Sequence, residues 1–333
     1  RRQMAVANLP SMLAYLPSAG LRATKLRRAR TFDIVNTHFA VPTGPVGQWI
    51  ANRYRIPNVL SVHGGDLFDP SKKLSPHRYG LVRVLIRRLL RRADALVAQS
   101  KDTLANISQI YGVRRDVELV PLGIERPPRI DRVPAADFGL PSGAFVLVTV
   151  GRLVPRKQTT QLVSALAASG VPRAHLLVAG SGPEESAIRR AAVDLGVAGR
   201  VHFLGAVRDS DKFRALAAAD VFVSASQHEG FGLVFLEAMA LGLPIICYNK
   251  GGQTDYLTTG ETGHVVPLGD VKTFAGAIRQ LSEAAEDRRR FGEANRRLVE
   301  EFLIERCAAR YEVIFERSIA ACSARRNSVS VTT

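Results

Sequence analysis

Two glutamates eight positions apart carry the strongest chemical signal in this sequence. Glu229 and Glu237 are the ends of the run Glu-Gly-Phe-Gly-Leu-Val-Phe-Leu-Glu, in which two glycines precede a stretch of helix-forming residues. Gly242 and Pro244 follow that stretch, as is typical of the end of a helix. The pattern therefore predicts that Glu229 lies on a glycine-containing loop and that Glu237 lies about two turns into the next helix.

The start of that helix is suited to bind an anion, because its backbone N–H groups carry partial positive charge. Carboxylates accept hydrogen bonds from hydroxyl groups. Two acids around such a helix start therefore indicate a ligand with both hydroxyls and phosphates, as in a nucleotide sugar. On spacing alone, an alternative stays open in which Glu229 is an ordinary loop charge and Glu237 a solvated helix residue.

Two basic residues follow a predicted strand and could neutralise a diphosphate. The strand 145–150 continues directly into Gly-Arg-Leu-Val-Pro-Arg-Lys at 151–157. Since glycine lets the backbone turn, Arg152 and Lys157 are expected at the carboxyl end of that strand. Cations fixed there could stabilise a leaving diphosphate through charge-assisted hydrogen bonds without a metal. An ordinary basic loop is the alternative.

Two further motifs carry weaker signals. The run Gly-Ser-Gly-Pro-Glu-Glu at 180–185 lacks the third glycine of a dinucleotide fingerprint and is interpreted as a tight turn. Asp209 and Asp211 could chelate a divalent cation, but the residues after them look helical, so Ser210 or Asp211 is predicted to cap that helix. No other cluster has the spacing of metal ligands, and neither a metal nor a cofactor is predicted.

Two histidines follow predicted strands in the first part of the chain. His63 begins the run His-Gly-Gly-Asp after one strand, and His38 follows the preceding one. Because the carboxyl ends of parallel strands share one rim, both are expected on the same edge. His63 could contact a substrate sugar, while Asp66 and His38 are expected on the acceptor side. Purely structural roles are the alternative.

The positive charge lies mainly in the first part of the chain. The net charge is +16, and residues 1–142 hold 23 Lys and Arg against 10 Asp and Glu, whereas residues 143–333 hold 23 against 20. This imbalance indicates an acidic partner, such as phospholipid headgroups, a phosphorylated acceptor or nucleic acid. Nucleic acid is disfavoured, because the sequence has no aromatic stacking run or recognisable binding module.

A basic amphipathic helix is predicted over 81–92. Its apolar half is expected to pack on the protein's own sheet and comprises Leu81, Val82, Leu85, Ile86, Leu89 and Leu90. Arg83, Arg87 and Arg91 form a stripe on the opposite half. That stripe is either a solvated basic face or a docking surface for an anionic membrane, worth about 1 kcal/mol per residue.

Short β-rich runs alternate with helical stretches, which predicts two doubly wound α/β halves facing a cleft. The proline-rich and charged segment 126–134 separates them. The predicted strands are 32–37, 58–62, 95–99 and 117–120, then 145–150, 175–179, 201–204, 221–224 and 244–247. The predicted helices of the second half are 158–169, 184–195, 211–218 and 232–241. From about residue 270 the chain is predicted to be helical to Ala321, with a frayed polar tail.

Composition indicates a soluble cytoplasmic protein. The chain has 46% hydrophobic residues but no apolar run near eighteen residues. Its three scattered cysteines fit a reducing compartment rather than a disulfide framework.

Taken together, these motifs resemble the retaining GT-B glycosyltransferases of family 4. The resemblance covers roughly residues 32–303. Its most specific parts are Val-His-Phe-Leu-Gly at 201–205, Ala-Asp-Val-Phe-Val-Ser at 219–224 and the whole run 229–244. Gly-Gly at 251–252 and Gly-His-Val-Val-Pro at 263–267 continue the order of the family's motifs.

The resemblance implies roles for the acidic helix region. Glu237 would bind the ribose hydroxyls of the nucleotide. Glu229 would contact the hydroxyls of the donor sugar, and the backbone amides of Phe231, Gly232 and Leu233 would lie near sugar and phosphate.

Further roles follow from the same resemblance. Arg152 and Lys157 would hold the diphosphate, His63 would lie beside the transferred sugar, and the residues around Gly205 and Val207 would border the base. Family members act without a metal and transfer with retention. The departing phosphate would deprotonate the acceptor hydroxyl, so no carboxylate nucleophile is required.

The implied domains are an acceptor-side domain over 1–138, a nucleotide-sugar-binding domain over 143–303 and a C-terminal segment 304–333 that returns to the first domain. The family's first strand and glycine-rich loop have no counterpart after Arg1. We therefore expect an N-terminally incomplete first domain that lacks one or more strands.

The expected activity is transfer of a sugar from a UDP- or GDP-sugar to a hydroxyl of a glycolipid or polysaccharide. Such an enzyme would lie in the cytoplasm, peripherally on the membrane face. The alternative is a catalytically impaired GT-B-like protein that binds a sugar or nucleotide.

Overall fold

Two parallel sheets organise the described residues, one in each of two units. A computed structural model of the 333 residues describes residues 9–70 and 75–330. One unit comprises Arg1–Leu122 with Glu305–Thr333, and the other comprises Gly123–Ile304. The predicted α/β class with two Rossmann-like parallel sheets is confirmed.

The first unit contains a four-stranded sheet in the order β1-β2-β3-β4. Its strands are β1 (Val35–His38), β2 (Asn58–Val62), β3 (Ala95–Ala98) and β4 (Glu118–Leu119). Its helices are α1 (Leu9–Ala29), α2 (Gly44–Tyr54), α3 (Gly80–Arg92) and α4 (Lys101–Tyr111), and α11 (Ile304–Ser330) near the end of the chain.

Apolar side chains cover both faces of the first sheet. Successive residues of a strand point to opposite faces, and accordingly Leu60 packs in one cluster with α3 and α4. Its neighbour Val59 packs in a second cluster with Cys307 and Ile314 of α11. The last long helix of the chain therefore completes the core of the first unit.

The second unit contains a six-stranded parallel sheet in the order β10-β9-β8-β5-β6-β7. The strands are β5 (Phe145–Val150), β6 (Ala174–Ala179), β7 (Val201–Gly205), β8 (Val221–Ser224), β9 (Ile245–Tyr248) and β10 (Gly263–Val266). The helices are α5 (Thr159–Ala168), α6 (Glu185–Asp194), α7 (Asp209–Ala218), α8 (Leu233–Ala240), α9 (Val271–Glu283) and α10 (Ala285–Leu298).

The strand order reverses between β5 and β8, which lie side by side. From β5 the chain builds outward through β6 and β7, and then returns to build β8, β9 and β10 on the other side. In open α/β sheets, ligands bind outside the carboxyl ends of the strands at such a reversal. The loops after β5 and β8 are therefore the place to look for a site.

All nine predicted strands are present, and their ends shift by at most three residues. The strand β10 was missed as an element. It has four residues, lies at the edge of the sheet and pairs with β9. The prediction that Ser210 or Asp211 caps a helix was wrong. The helix α7 starts at Asp209, after Arg208, with no side-chain capping bond.

The boundary between the units lies before the predicted one. Residues 123–142, assigned by the prediction to the first domain as far as residue 138, pack with the second unit. Val133 is buried with Ala217 and Ala218, and the Ile124 N–H donates to the Phe302 carbonyl at 2.9 Å. Residues 126–134, rich in proline and charge, form no helix or strand, but Val133 among them is still buried.

The predicted frayed tail after Ala321 was wrong for residues 322–330, which continue α11. Arg325 forms an ion pair with Asp94 at 2.5 Å, which ties this part of the helix to the first unit. The predicted incompleteness of the first domain stays a prediction.

Helix α3 buries a narrower apolar face than predicted. Ile86, Leu89 and Leu90 are in the core, but Leu81 is 89% exposed and Leu85 is 40% exposed.

No helix in the described part of the chain combines the length and the apolar character needed to cross a bilayer.

The loops after β5 and β6 meet backbone to backbone. A Cβ placed on Gly180, whose φ is 151°, would lie 1.8 Å from the carbonyl oxygen of Gly151. A Cβ on Gly182 would lie 2.3 Å from the carbonyl oxygen of Leu153. The tight turn predicted at 180–185 is therefore built for close approach to the loop that follows β5.

We expect Gly180→Ala to destabilise the protein by more than about 2 kcal/mol, because a clash with backbone and an unfavourable φ add together. Thermal unfolding followed by circular dichroism measures the effect. Gly199→Ala is the matched control, since a Cβ there meets no atom within 4 Å. A Gly180→Ala melting temperature equal to that of the control would contradict this account.

Candidate functional site

The centre of the candidate site is Glu229, on the loop after β8. Glu229 is only 7% exposed. One carboxylate oxygen forms an ion pair with Lys157 Nζ, from the loop after β5. The other lies 3.4 Å from Arg156 Nη1, which also donates to the His228 carbonyl at 2.9 Å. The two loops at the strand-order reversal are therefore joined by a buried carboxylate between two cations.

Glu229 is held ionised by these contacts. Burial by itself would raise the pKa of its carboxyl, but the charges of Lys157 and Arg156 and hydrogen bonds from Lys157 and Ser226 outweigh burial and hold the pKa below its ordinary value. Because a buried charge without partners costs several kcal/mol, acid and cations depend on one another.

The backbone of Glu229 is fixed by the glycines at 251–252. The Gly252 N–H donates to the Glu229 carbonyl at 2.8 Å. A Cβ on Gly251, whose φ is 112°, would lie 2.5 Å from that same carbonyl oxygen. Only glycine therefore lets the loop after β9 approach the acid so closely.

Helix α8 begins beside this acid. Gly232 adopts a left-handed conformation with a φ of 90°, and the helix follows at once with Leu233, which is 40% exposed. Phe231 is buried, and the Tyr256 hydroxyl lies 2.9 Å from the Phe231 carbonyl and 3.1 Å from that of Gly232. The Tyr256 hydroxyl therefore fixes the turn that precedes α8 and so sets the direction of the first backbone amides of that helix.

Glu237, on α8, has a cationic partner of its own. Its Oε1 accepts a hydrogen bond from Lys212 Nζ at 2.8 Å. Lys212 Nζ also lies 3.0 Å from Asp209 Oδ1. Both glutamates of the motif are thus ion-paired, each to a lysine from a different loop or helix.

The other predicted donor residues occupy the carboxyl edge of the same sheet. Arg152 is exposed, directly after the Gly151 turn that ends β5, while the Lys157 side chain folds back toward Gly151. Gly205 ends β7, and its carbonyl accepts from the Gly180 N–H at 2.8 Å. Val207 is half-buried just beyond. Lys157 contacts Glu229, whereas no direct contact joins Arg152 to either glutamate.

The predicted histidines lie together in the first unit. His38 Nδ1 is 2.9 Å from His63 Nε2, and His63 Nδ1 is 3.0 Å from Gln99 Oε1. Gln99 Nε2 donates to the His63 carbonyl at 2.6 Å, so its Oε1 faces the ring as an acceptor. His63 therefore carries its proton on Nδ1 and accepts from His38 through Nε2.

Both imidazoles are neutral in this chain of bonds. Burial lowers the pKa of His38, and the neighbouring His63 lowers it further. Burial also lowers the pKa of His63, against the opposing hydrogen bond to Gln99. A proton on His63 Nε2 would face the N–H of His38 Nδ1 and place two donors against each other.

Both carboxylate oxygens of Asp66 accept hydrogen bonds from backbone amides, and its predicted contact with an acceptor stays a prediction. Asp66 is 7% exposed, and its two carboxylate oxygens accept from the backbone N–H groups of His63 at 2.9 Å and of Ala40 at 2.6 Å. A carboxylate used in this way connects the loops after β1 and β2. Asp66 therefore positions His63 and His38 from beneath.

Sequence reasoning missed Arg156, Lys212, Gln99 and Tyr256. Arg156 stands beside Lys157 in the run 151–157, and this position could have indicated its role. Lys212 stands 25 positions before Glu237, and Tyr256 stands 25 and 24 positions after Phe231 and Gly232, to whose carbonyls its hydroxyl donates, so only the folded sheet brings them close. Within the described residues, no group of three or more His, Cys, Asp or Glu is placed to bind a metal.

Two family models match the sequence. The Glycosyltransferase Family 4 model matches residues 2–126, and the Glycosyl transferases group 1 model matches residues 135–298. The second match contains Lys157, Glu229 and Glu237. The resemblance predicted from the motifs is therefore confirmed.

Curated relatives agree with these models. The chain is 35% identical over 193 residues to the lipopolysaccharide core biosynthesis glycosyltransferase LpsE of Rhizobium meliloti. The aligned residues make up 57% of this chain and 54% of LpsE. It is 30% identical to the D-inositol 3-phosphate glycosyltransferase of Acidothermus cellulolyticus over 82% of this chain and 64% of that protein. The chain thus spans about half to two thirds of the length of these relatives.

Solved structures show the same fold. Sucrose-phosphate synthase from Thermosynechococcus elongatus superposes with a TM-score of 0.81 at 24% identity, covering 96% of this chain and 82% of that one. HepE of Anabaena, in complex with UDP and glucose, superposes with a TM-score of 0.76 at 20% identity, covering 92% and 82%. The chain belongs to the group 1 (family 4) glycosyltransferases and has their GT-B fold.

The buried ion pair predicts a pH dependence of stability. A carboxyl whose pKa is lowered by folding stabilises the native state fully above its unfolded pKa of about 4.3. That contribution is lost as the pH falls through the lower folded pKa. We expect Glu229→Gln to be less stable than the parent by about 3 kcal/mol near neutral pH, and the gap to shrink on acidification.

Urea unfolding of both proteins across the acidic range measures this gap. Glu312→Gln, which changes an exposed glutamate of α11, is the control and is expected to show a small gap at every pH. A Glu229→Gln gap that stays constant with pH would show that the ionised carboxylate is not what stabilises the site.

Proposed function

We propose that this chain transfers a sugar from a UDP- or GDP-sugar to a hydroxyl of a glycolipid or polysaccharide, with retention at the anomeric carbon. The observation that carries the proposal is the pair of ion-paired acids around α8. Glu229 is bound by Lys157 and Arg156, and Glu237 by Lys212. The hydroxyls of a sugar need hydrogen-bond acceptors, and a diphosphate needs positive charge. The two ion-paired groups around Glu229 and Glu237 offer both at one edge of the second sheet.

Lys157 can serve both parts of the donor. An ammonium group has three N–H donors, and the contact with Glu229 uses one of them. A diphosphate at the start of α8 would take up further Lys157 donors together with the amides of Gly232 and Leu233 and the exposed Arg152. Positive charge already in place there would stabilise the negative charge that develops on the leaving group.

The state of Glu229 favours a mechanism without a carboxylate nucleophile. A carboxylate held between two cations, with its pKa below the ordinary value, is a weak base and a weak nucleophile. Its oxygens are better suited to accept hydrogen bonds from the donor sugar. Transfer on one face of the sugar, with the acceptor proton passing to the departing phosphate, agrees with these properties.

The neutral histidine pair supports sugar-binding roles in the first unit. His63 is held in one tautomer by Gln99, and its exposed neighbour His38 continues the chain of bonds to Asn36 Nδ2 at 3.0 Å. Neutral imidazoles can hydrogen-bond hydroxyl groups without adding charge. We assign His63 to the transferred sugar and His38 to the acceptor.

Helix α3 supports docking on an anionic membrane. Arg83, Arg87 and Arg91 are exposed along it, and Arg83 also donates to the Ile110 carbonyl at 3.0 Å. Leu81 and Val84 are 89% and 64% exposed on the same helix. A surface with cations and apolar side chains side by side suits a lipid headgroup region, where a glycolipid acceptor would be presented.

The transfer proposal predicts that the ion-paired centre is required for turnover. The double variant Lys157→Met/Glu229→Gln removes one charge of each sign, and Arg156 keeps its hydrogen bond to the His228 carbonyl. We expect kcat/KM for the accepted nucleotide sugar to fall by at least about 100-fold. Release of UDP or GDP in the presence of glycolipid or polysaccharide acceptors measures it, after a thermal-shift screen has selected the donor.

The matched control is Arg189→Met/Glu185→Gln, which removes an exposed ion pair of α6 and is expected to leave turnover unchanged. Equal turnover in both double variants would reject the assigned roles. Stabilisation by a nucleotide sugar without any product would favour the impaired binding protein, and no stabilisation by any UDP- or GDP-sugar would reject both.

The docking proposal predicts salt-sensitive binding to vesicles that contain anionic lipid. Replacing Arg83, Arg87 and Arg91 with Ala is expected to weaken binding by at least about tenfold, at roughly 1 kcal/mol for each charge near the surface. Co-sedimentation measures it. Arg129, Arg190 and Arg297, exposed arginines of the second unit, give a control triple variant with the same net charge. Equal losses in both triples would show that only total charge matters.

A further inference from the structure

Lys212 lies between two carboxylates but is committed mainly to one of them. Its side chain is 15% exposed, and that of its partner Glu237 is 19% exposed, whereas Asp209 is 90% exposed. Solvent screens an exposed ion pair, which therefore contributes little. The contact of 2.8 Å with Glu237 Oε1 is the one that holds the ammonium in place.

Lys212 is charged in this setting. Burial would lower the pKa of its amine, but the hydrogen bonds to Glu237 and Asp209 and the charges of both acids outweigh burial and raise that pKa. Its ammonium also lies 4.6 Å from the centre of the Phe213 ring, a further contact that favours a cation. The bond to Glu237 is therefore charge-assisted and among the stronger types.

This bond restrains one oxygen of Glu237 and leaves the other available. Among the described residues, Oε2 of Glu237 has no hydrogen-bond partner in the protein. A glutamate side chain loses up to about 2 kcal/mol of rotamer freedom when it is fixed. A glutamate that is already held loses less of that freedom on binding a ligand, which raises affinity through preorganisation.

We propose that Lys212 is a positioning residue that fixes Glu237 for recognition of the nucleotide's ribose hydroxyls. The inference rests on the proposed function, in which Glu237 binds the ribose. Lys212 stands in the first turn of α7, directly after the segment 205–207 assigned to the base. One short stretch of chain thus borders the base and orients the acid that distinguishes ribose from deoxyribose.

The test compares nucleotides with and without the ribose hydroxyls. Isothermal titration measures Kd for UDP and GDP and for their 2′-deoxy and 3′-deoxy forms, with the parent chain. We expect the parent to bind the better nucleotide at least about tenfold more tightly than one of its deoxy forms, the size of one charge-assisted hydrogen bond. Lys212→Met should reduce that ratio to near unity mainly by weakening the ribonucleotide.

Two further variants separate positioning from stability. Lys212→Arg keeps a cation within reach of Glu237 and is expected to retain most of the ratio. Asp211→Asn removes an exposed partner of Arg208 in the same turn, at 3.1 Å, and is the matched control expected to keep the parent ratio. Thermal unfolding of each variant checks that the compared proteins are folded. If Lys212→Met does not fold, the comparison of Lys212→Arg with the parent tests the inference.

The outcomes distinguish this inference from the function on which it rests. A parent that binds no UDP or GDP compound overturns the proposed function and the inference with it. Nucleotide binding with an undiminished ribose preference in Lys212→Met overturns the role of Lys212 alone. A Lys212→Arg variant that loses the ratio while remaining folded also overturns it, because a cation in reach would then not suffice.

Discussion

A carboxylate buried between two cations is the constraint around which the second unit is arranged. Glu229 can be buried only because Lys157 and Arg156 reach it from the neighbouring strand end, since an unpartnered buried charge is unfavourable by several kcal/mol. These ion pairs join the loops that follow β5 and β8, which are neighbouring strands, and the loop after β9 lies against the Glu229 carbonyl. In the proposed function, the same charges would also serve the diphosphate of the donor.

Much of this arrangement follows from the sequence, because the signals are local. Apolar β-rich runs predict the strands, and the parallel sheets follow from their alternation with helices. Glycine followed by helix formers predicts where Glu229 and Glu237 lie. Strand ends predict the rim of the second sheet that holds Lys157 and the rim of the first sheet that holds His63. Each prediction needs only residues within one strand, turn and helix, and each element is present with small shifts at its ends.

The partners of these residues could not be predicted in the same way. Lys212 reaches Glu237 from another helix, Gln99 reaches His63 from the next strand, and Tyr256 fixes the start of α8 from a later loop. Such pairs depend on strand order, which local patterns leave undetermined. The contacts of Asp66 were not predictable either, since its two oxygens bind the backbone amides of His63 and of Ala40 in another loop.

The discontinuous first unit has a consequence for biosynthesis. The last described strand of its sheet ends at Leu119, yet one face of that sheet is covered by α11, which begins at Ile304. A ribosome therefore releases the first sheet with apolar Val59 and Val97 uncovered while the entire second unit is still being made. The second unit is contiguous and can fold as it emerges. That face of the nascent chain thus stays uncovered until α11 has been synthesised.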